Sequence, residues 1–90
     1  DTYSQKVYKN DIEIELTPTE YQLMNLFLQK PGKLFSRNEL IDIVWGTDFV
    51  GDLKIVDVNI RRLRKRIEDN PSNPKFIETV WGIGYRWREK

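Results

Sequence analysis

The chain has no cysteine and no histidine in its 90 residues. Without cysteine there is neither a disulfide framework nor a thiolate metal site, and the composition fits a cytoplasmic protein. Without histidine the commonest metal ligand and general base are gone as well. Carboxylates remain for such chemistry, but they form no dense cluster along the sequence, so neither a metal nor a cofactor is expected. Glu13 and Glu15 share one face of a strand pattern and have no partner base, so a wet strand face accounts for them better than paired acid–base catalysis. Ser4, Ser36 and Ser72 have no histidine to activate them, and the chain does not read as an enzyme. No apolar run approaches the roughly 20 residues that span a membrane, and no charged-then-apolar leader opens the chain. The abrupt start at Asp1, in strand-like sequence, reads as a cut from a longer protein. No repeat or low-complexity tract occurs. The length suits one domain, residues 1–90, with a small but adequate core.

Charge of one sign is also scarce overall, since the net charge is only +1. That near-neutrality conceals a polarised molecule. Residues 54–66 carry six bases (Lys54, Arg61, Arg62, Arg64, Lys65 and Arg66) against one acid, Asp57, for a local charge of +5. Residues 1–53 carry −4 and residues 67–90 are neutral. Val56, Ile60, Leu63 and Ile67 in the same stretch recur at spacings of four, three and four, one stripe of a helix. The alternation of Val56, Val58 and Ile60 with Asp57, Asn59 and Arg61 imitates a strand. It fails after Ile60, whereas the helical stripe continues to Ile67. The opposite face of that helix carries Lys54, Val58, Arg61, Arg62 and Lys65, with Arg64 and Arg66 on its flanks. Acids at helical spacing are nearly absent, so internal ion pairs cannot explain the run, and a polyanion surface does so better than a solvated face.

Around this helix the chain alternates between short elements. Residues 5–16 read as a hairpin turning at Lys9-Asn10-Asp11, with Ile12, Ile14 and Leu16 on its buried face. Thr17, Pro18 and Glu20 make a capping box with proline at the first helical position, and Lys30-Pro31-Gly32 ends that helix. Leu34-Phe35 reads as an apolar linker. Ser36 and Glu39 form a second capping box, opening a helix that runs through Trp45 to Gly46. Residues 46–53 form a loop with an exposed-looking Phe49-Val50 pair. After Asn70-Pro71 the pattern turns to strands on either side of Gly82-Ile83-Gly84. This glycine pair leads into no helix and is no phosphate-binding fingerprint. Two capped helices, a basic helix and a hairpin define an α+β winged helix-turn-helix with a short N-terminal antiparallel sheet and three helices.

Four ordered motifs sharpen this reading: L-T-P-T-E-Y-x-L-M at Leu16–Met24, V-W-G at Val44–Gly46, G-D-x-x-x-V-D-V-x-I-R-R-L-R-K-R-I-E at Gly51–Glu68, and V-x-G-x-G-Y-R at Val80–Arg86. Together they resemble the effector domains of OmpR/PhoB-family response regulators over nearly the whole chain. The resemblance implies the double-stranded-DNA-binding half of a two-component transcription regulator. Its receiver domain, the target of a sensor kinase, is absent from this chain, and the first strand of the family's four-stranded N-terminal sheet would lie before Asp1. The recognition helix is expected over 54–69 in the major groove and the wing over 76–88 on the adjacent backbone or minor groove.

Carried over by position, Arg62 would meet base edges, with Val58 and Lys65 beside it. Lys54, Arg61, Arg64, Trp45, Thr79 and Tyr85 would meet the phosphate backbone, although Trp45 reads equally as core. Asp57 is expected in a local ion pair with a neighbouring arginine. Asp48, Phe49 and Val50 match the family's RNA polymerase-contacting loop. Pairing of two copies on tandem half-sites is implied as well. The wing carries Arg86 and, where the family often has arginine, Trp81, which is expected either against DNA sugar and backbone or folded back onto the hairpin. A different class of function, a winged helix docking an acidic protein, uses the same basic helix.

Overall fold

The computed structural model describes residues 6–89. Gln5, where the expected hairpin begins, and Ser4 lie outside the described residues. Strands β1 (Val7–Lys9) and β2 (Ile12–Ile14) pair antiparallel, with Lys9 opposite Ile12. Asn10 and Asp11 alone connect them, at φ 53° and 65°. That is the type I′ turn, whose twist matches that of the strands it joins, and asparagine and aspartate tolerate it. Val7, Ile14 and Leu16 reach the core. Ile12 does not: it stands beside the turn, beyond the edge of the core, and is 70% exposed. The expected buried face is therefore shorter than the alternation suggested.

Helix α1 (Pro18–Gln29) starts on the reciprocal cap, in which Glu20 N donates to Thr17 Oγ1 at 3.1 Å and Thr17 N to Glu20 Oε1 at 3.0 Å. The linker expected at Leu34-Phe35 is in part a strand. β3 (Phe35–Ser36) pairs with the wing, and Phe35 meets Phe27 edge to face at 6.0 Å. Ser36 caps α2 (Arg37–Leu40) through the second reciprocal box with Glu39. The coil then widens into a π-helix over Ile41–Trp45, closed by Gly46 N donating to Ile41 O five residues back at 2.8 Å. Gly46 leaves the coil at φ 102°, which a side chain rarely adopts.

Helix α3 (Lys54–Ile67) is shorter than the expected 54–69. Glu68 has left it for extended geometry, and its carboxylate accepts the backbone N–H groups of Lys75, Phe76 and Ile77. One buried acid thereby closes the loop back to the wing and ends the helix. The wing is β4 (Ile77–Val80) and β5 (Gly84–Trp87), inside the expected 76–88. The three-stranded sheet runs β3-β5-β4, all antiparallel.

A single apolar cluster joins these pieces: Leu23 and Phe27 from α1, Phe35, Leu40 and Ile41, the α3 stripe, and Ile77 and Tyr85 from the wing. Val56, Ile60, Leu63 and Ile67 are 0–2% exposed. At roughly 1.5–3 kcal/mol for each large aliphatic side chain, this stripe fixes the rotation of α3 far more firmly than its helix propensity does.

The two wing glycines have different reasons. Gly82 sits at φ 79° in the turn, with open space around an added Cβ. At Gly84 a Cβ would stand 1.9 Å from Phe35 O in the next strand, and backbone cannot give way as a side chain could. Gly84→Ala is therefore expected to cost about 3 kcal/mol. Gly82→Ala should cost only about 1–2 kcal/mol for its left-handed backbone. Urea unfolding midpoints at unchanged slope check this; equal losses in the two variants would show that β3 does not press on β5.

Candidate nucleic-acid interface

α3 is prepared at its N-terminus by Asp52, whose carboxylate accepts the Lys54 N–H at 2.9 Å. With the apolar stripe facing inward, Lys54, Arg61, Arg62 and Lys65 are exposed on the opposite side. Their side-chain charges have no protein partner among the described residues. Val58 lies on the same face, 41% exposed. Asn59 is buried instead and donates to Ile55 O at 2.8 Å. The structure thus brings together the three residues expected at base edges (Arg62, Val58, Lys65) and two of those expected at phosphates (Lys54, Arg61).

The flanking arginines go elsewhere. Arg66 Nε donates to the buried Glu20 Oε1 at 2.7 Å, tying α3 to the cap of α1. Arg64 departs from the phosphate role expected of it. Its guanidinium donates to Ile77 O at 2.8 Å and to Thr79 Oγ1 at 2.7 Å, and lies over the Tyr85 ring at 5.6 Å. Burial pulls its pKa below the ordinary arginine value, against a smaller opposing pull from Tyr85 and Glu68. Tyr85 departs similarly. It is only 8% exposed, and its hydroxyl donates to Asp57 Oδ1 at 2.5 Å, leaving no proton for a phosphate. Burial first, then the bond to Asp57, pushes its pKa up to about 12. Asp57 does form an ion pair, but with Arg37 of α2 at 3.5 Å and not with an arginine of its own helix.

These groups line a cleft of about 290 Å³ between α3 and the wing, with Arg37, Asp57 and Arg64 on one side and the hairpin from Thr79 to Tyr85 on the other. Arg37 escaped the sequence reading. The signal was its place directly after the Ser36 cap, since the first helix of such a pair crosses the DNA backbone. Thr79 is half-buried and accepts one bond from Arg64, keeping its O–H to donate. Arg86 pairs with Glu78 at 2.8 Å. That hydrogen bond holds the Glu78 carboxyl below the usual carboxylate range and raises Arg86. Trp81 has not folded back on the hairpin; it is 89% exposed. Trp45 is half-buried against the core and meets Phe49 at 6.3 Å. The Phe49-Val50 pair therefore splits, with Phe49 tucked against Trp45 and Val50 94% exposed. Asp48 is exposed. Among the described residues no three His, Cys, Asp or Glu side chains gather as metal ligands, and no helix is long and apolar enough to cross a membrane.

A basic helix packed across a capped helix pair, with a hairpin braced beside it, defines a winged-helix DNA-binding domain. Residues 11–87 match the family model described as transcriptional regulatory protein, C terminal. The chain is 48% identical over 81 residues to the alkaline phosphatase synthesis transcriptional regulatory protein SphR of Synechococcus elongatus, covering 90% of this chain and 32% of SphR. It thus spans about a third of that relative's length. Its fold superposes on the response regulator DrrB of Thermotoga maritima, an OmpR/PhoB homologue, with a TM-score of 0.91 at 30% identity, over 99% of this chain and 40% of that one. It likewise matches the RstA DNA-binding domain of Klebsiella pneumoniae, solved in complex with the RstA box, with a TM-score of 0.88 at 27% identity, over 98% and 87% of the two chains. The chain belongs to the C-terminal DNA-binding domains of OmpR/PhoB-type transcriptional regulators.

The Tyr85–Asp57 bond has a pH signature. Unfolded, the phenol ionises near 10; folded, it does so at about 12. Its contribution to stability is thus intact below pH 10 and is lost as pH rises through 12. The urea midpoint of the wild type should fall more steeply between pH 10 and 12 than that of Tyr85→Phe. Parallel curves would mean that the buried phenol is not what ties α3 to the wing.

Proposed function

We propose that this domain binds double-stranded DNA sequence-specifically, with α3 in the major groove and the wing over the adjacent backbone or minor groove. The observation that carries the reading is the set of four exposed cations on one face of α3, none of them paired among the described residues. Arg62 is placed for the bidentate contact to guanine, and Val58 for a thymine methyl, with Lys65 beside them. Lys54 and Arg61 neutralise phosphates. The half-buried Trp45 offers an indole N–H, and Thr79 a hydroxyl proton, to the backbone. Arg64 and Tyr85 serve the same interface indirectly, by holding the wing. In the full protein a receiver domain, phosphorylated by a sensor kinase, precedes this domain, and two copies pair on tandem half-sites in the cytoplasm. Asp48 and Val50, exposed in the loop ahead of α3, offer a contact to RNA polymerase.

Duplexes selected from a random pool supply the test. With the ~2 phosphates that Lys54 and Arg61 neutralise per domain, log K against log[salt] should slope at about −2, and Arg61→Ala should reduce that slope by about one. Arg62→Ala should cost about 1–3 kcal/mol on the selected site and much less on random DNA. A slope near zero, or a uniform loss for Arg62→Ala across sequences, contradicts the assignment. For the loop, Val50→Asp should leave melting temperature and DNA affinity unchanged while lowering transcription severalfold with purified polymerase. Phe49→Ala should instead lose about 1–2 kcal/mol of stability, because its ring packs on Trp45. Full transcription by Val50→Asp removes the loop from polymerase contact.

A further inference from the structure

The tip of the wing is built unlike the rest of the interface. From Thr79 to Tyr85 no residue carries a charge, in a protein that is 32% charged. Of the cations around it, Arg86 is committed to Glu78, Arg64 to the wing root and Arg37 to Asp57, while Arg88 is exposed at the foot of the hairpin and shares a shallow cleft with Trp81. The turn Val80–Ile83 is closed by Ile83 N donating to Val80 O at 3.0 Å, with Gly82 at φ 79° in its third position. Trp81 and Ile83 therefore flank a residue without a side chain, and they are 89% and 53% exposed.

We propose that this tip is an apolar wedge for the minor groove, in which Trp81, backed by Ile83, presses into one base step and selects sites by how easily that step unstacks. The proposal rests on the DNA-binding reading above and adds a second element of recognition to it. Position favours the groove of the same duplex over any other partner. Arg64 fastens β4 at Ile77 and Thr79, so the tip moves as one body with α3. Beyond that fastening lie only Val80, the last residue of β4, and Trp81 in the turn, about 7 Å of chain. With α3 in the major groove, one sugar–phosphate strand separates the wing from a minor groove about 6 Å wide. A tip that carries no cation gains little from the phosphates it crosses. What it can gain is burial of an indole that now lies in water. Gly82 lets the backbone approach the sugars closely. Apolar side chains inserted this way unstack a step and kink the duplex toward the major groove, and pyrimidine–purine steps yield most readily.

The experiment selects bound duplexes from one random pool in parallel with wild type, Trp81→Ala and Trp81→Phe, and measures end-to-end energy transfer on the winners. All three proteins should enrich the same core sequence, because α3 is unchanged. Wild type and Trp81→Phe should also enrich TA or CA steps at a fixed offset from that core, and should bend the duplex by about 20° or more. Trp81→Ala should lose the flanking preference and most of the bend, at an unchanged melting temperature because the side chain is exposed. Identical flanks and identical bends for wild type and Trp81→Ala overturn the wedge. So does a Trp81→Ala effect confined to the pairing of two copies on tandem sites, which would make the tip a protein contact. If no core is enriched by any of the three, it is the DNA-binding reading itself that fails.

Discussion

Everything α3 presents to the outside depends on how it is held from behind. Val56, Ile60, Leu63 and Ile67 are sealed against α1, α2 and the wing. An α-helix turns about 100° per residue, so that seal leaves Lys54, Val58, Arg61, Arg62 and Lys65 one orientation. The hydrophobic effect, which has no direction of its own, thereby aims four charges. A polar residue at Ile60 or Leu63 would cost more than its own burial, because the helix could roll and take the cations off their common face.

Concentrating positive charge on one helix has a cost when no DNA is present, since like charges a turn apart repel. Several features offset it. Arg64, Lys65 and Arg66 occupy the last turn, where the negative end of the helix dipole favours cations. At the N-terminus, where Lys54 is less welcome, Asp52 caps the first turn and Asp57 follows within it. Two arginines are withdrawn from the crowd altogether, Arg66 by Glu20 and Arg64 by the wing. What stays exposed is a set of charges spaced along one face on a rigid element, so binding has their side chains to order but not the backbone that carries them.

Much of this was legible in the sequence. Both capping boxes, the core stripe, the outward cations and the wing's two strands follow from local chemistry acting over three or four residues. What escaped were pairings between distant segments. β3 is two residues long and looks like a linker, because nothing local marks Phe35 as the partner of Tyr85; only the closeness forced by Gly84 does. The π-turn after Leu40 is invisible because residues 41–45 read locally as an ordinary helix, and only the Gly46 N–H reaching back five residues to Ile41 O reveals it. Arg64 and Arg61 look alike in a basic run, yet one points along the seam and the other away from it. Resemblance assigned both to phosphate, and the fold separated them. Likewise Tyr85 could be matched to a motif, but only the structure shows its hydroxyl engaged by Asp57.

The seam between α3 and the wing raises a question of economy, since it is polar where apolar packing was available. Arg64 is half-buried, loses hydration, and keeps its Nε buried without a partner among the described residues. A leucine there would bury area without that penalty, and buried charge is in general weak support for stability. Apolar contact, however, is indifferent to small slides, whereas the bonds to Ile77 O and Thr79 Oγ1 hold only within a narrow range of distance and angle. The Tyr85 hydroxyl on Asp57 adds a second directional tie one strand over, and Arg37 draws α2 into the same node. Together they set the register of the hairpin along α3. That register decides how far the tip stands from the face that carries Arg62. If, as proposed, α3 and the wing meet neighbouring parts of one duplex, that separation matters more than the last increment of stability, and directional polar bonds are how a seam of this size can fix it.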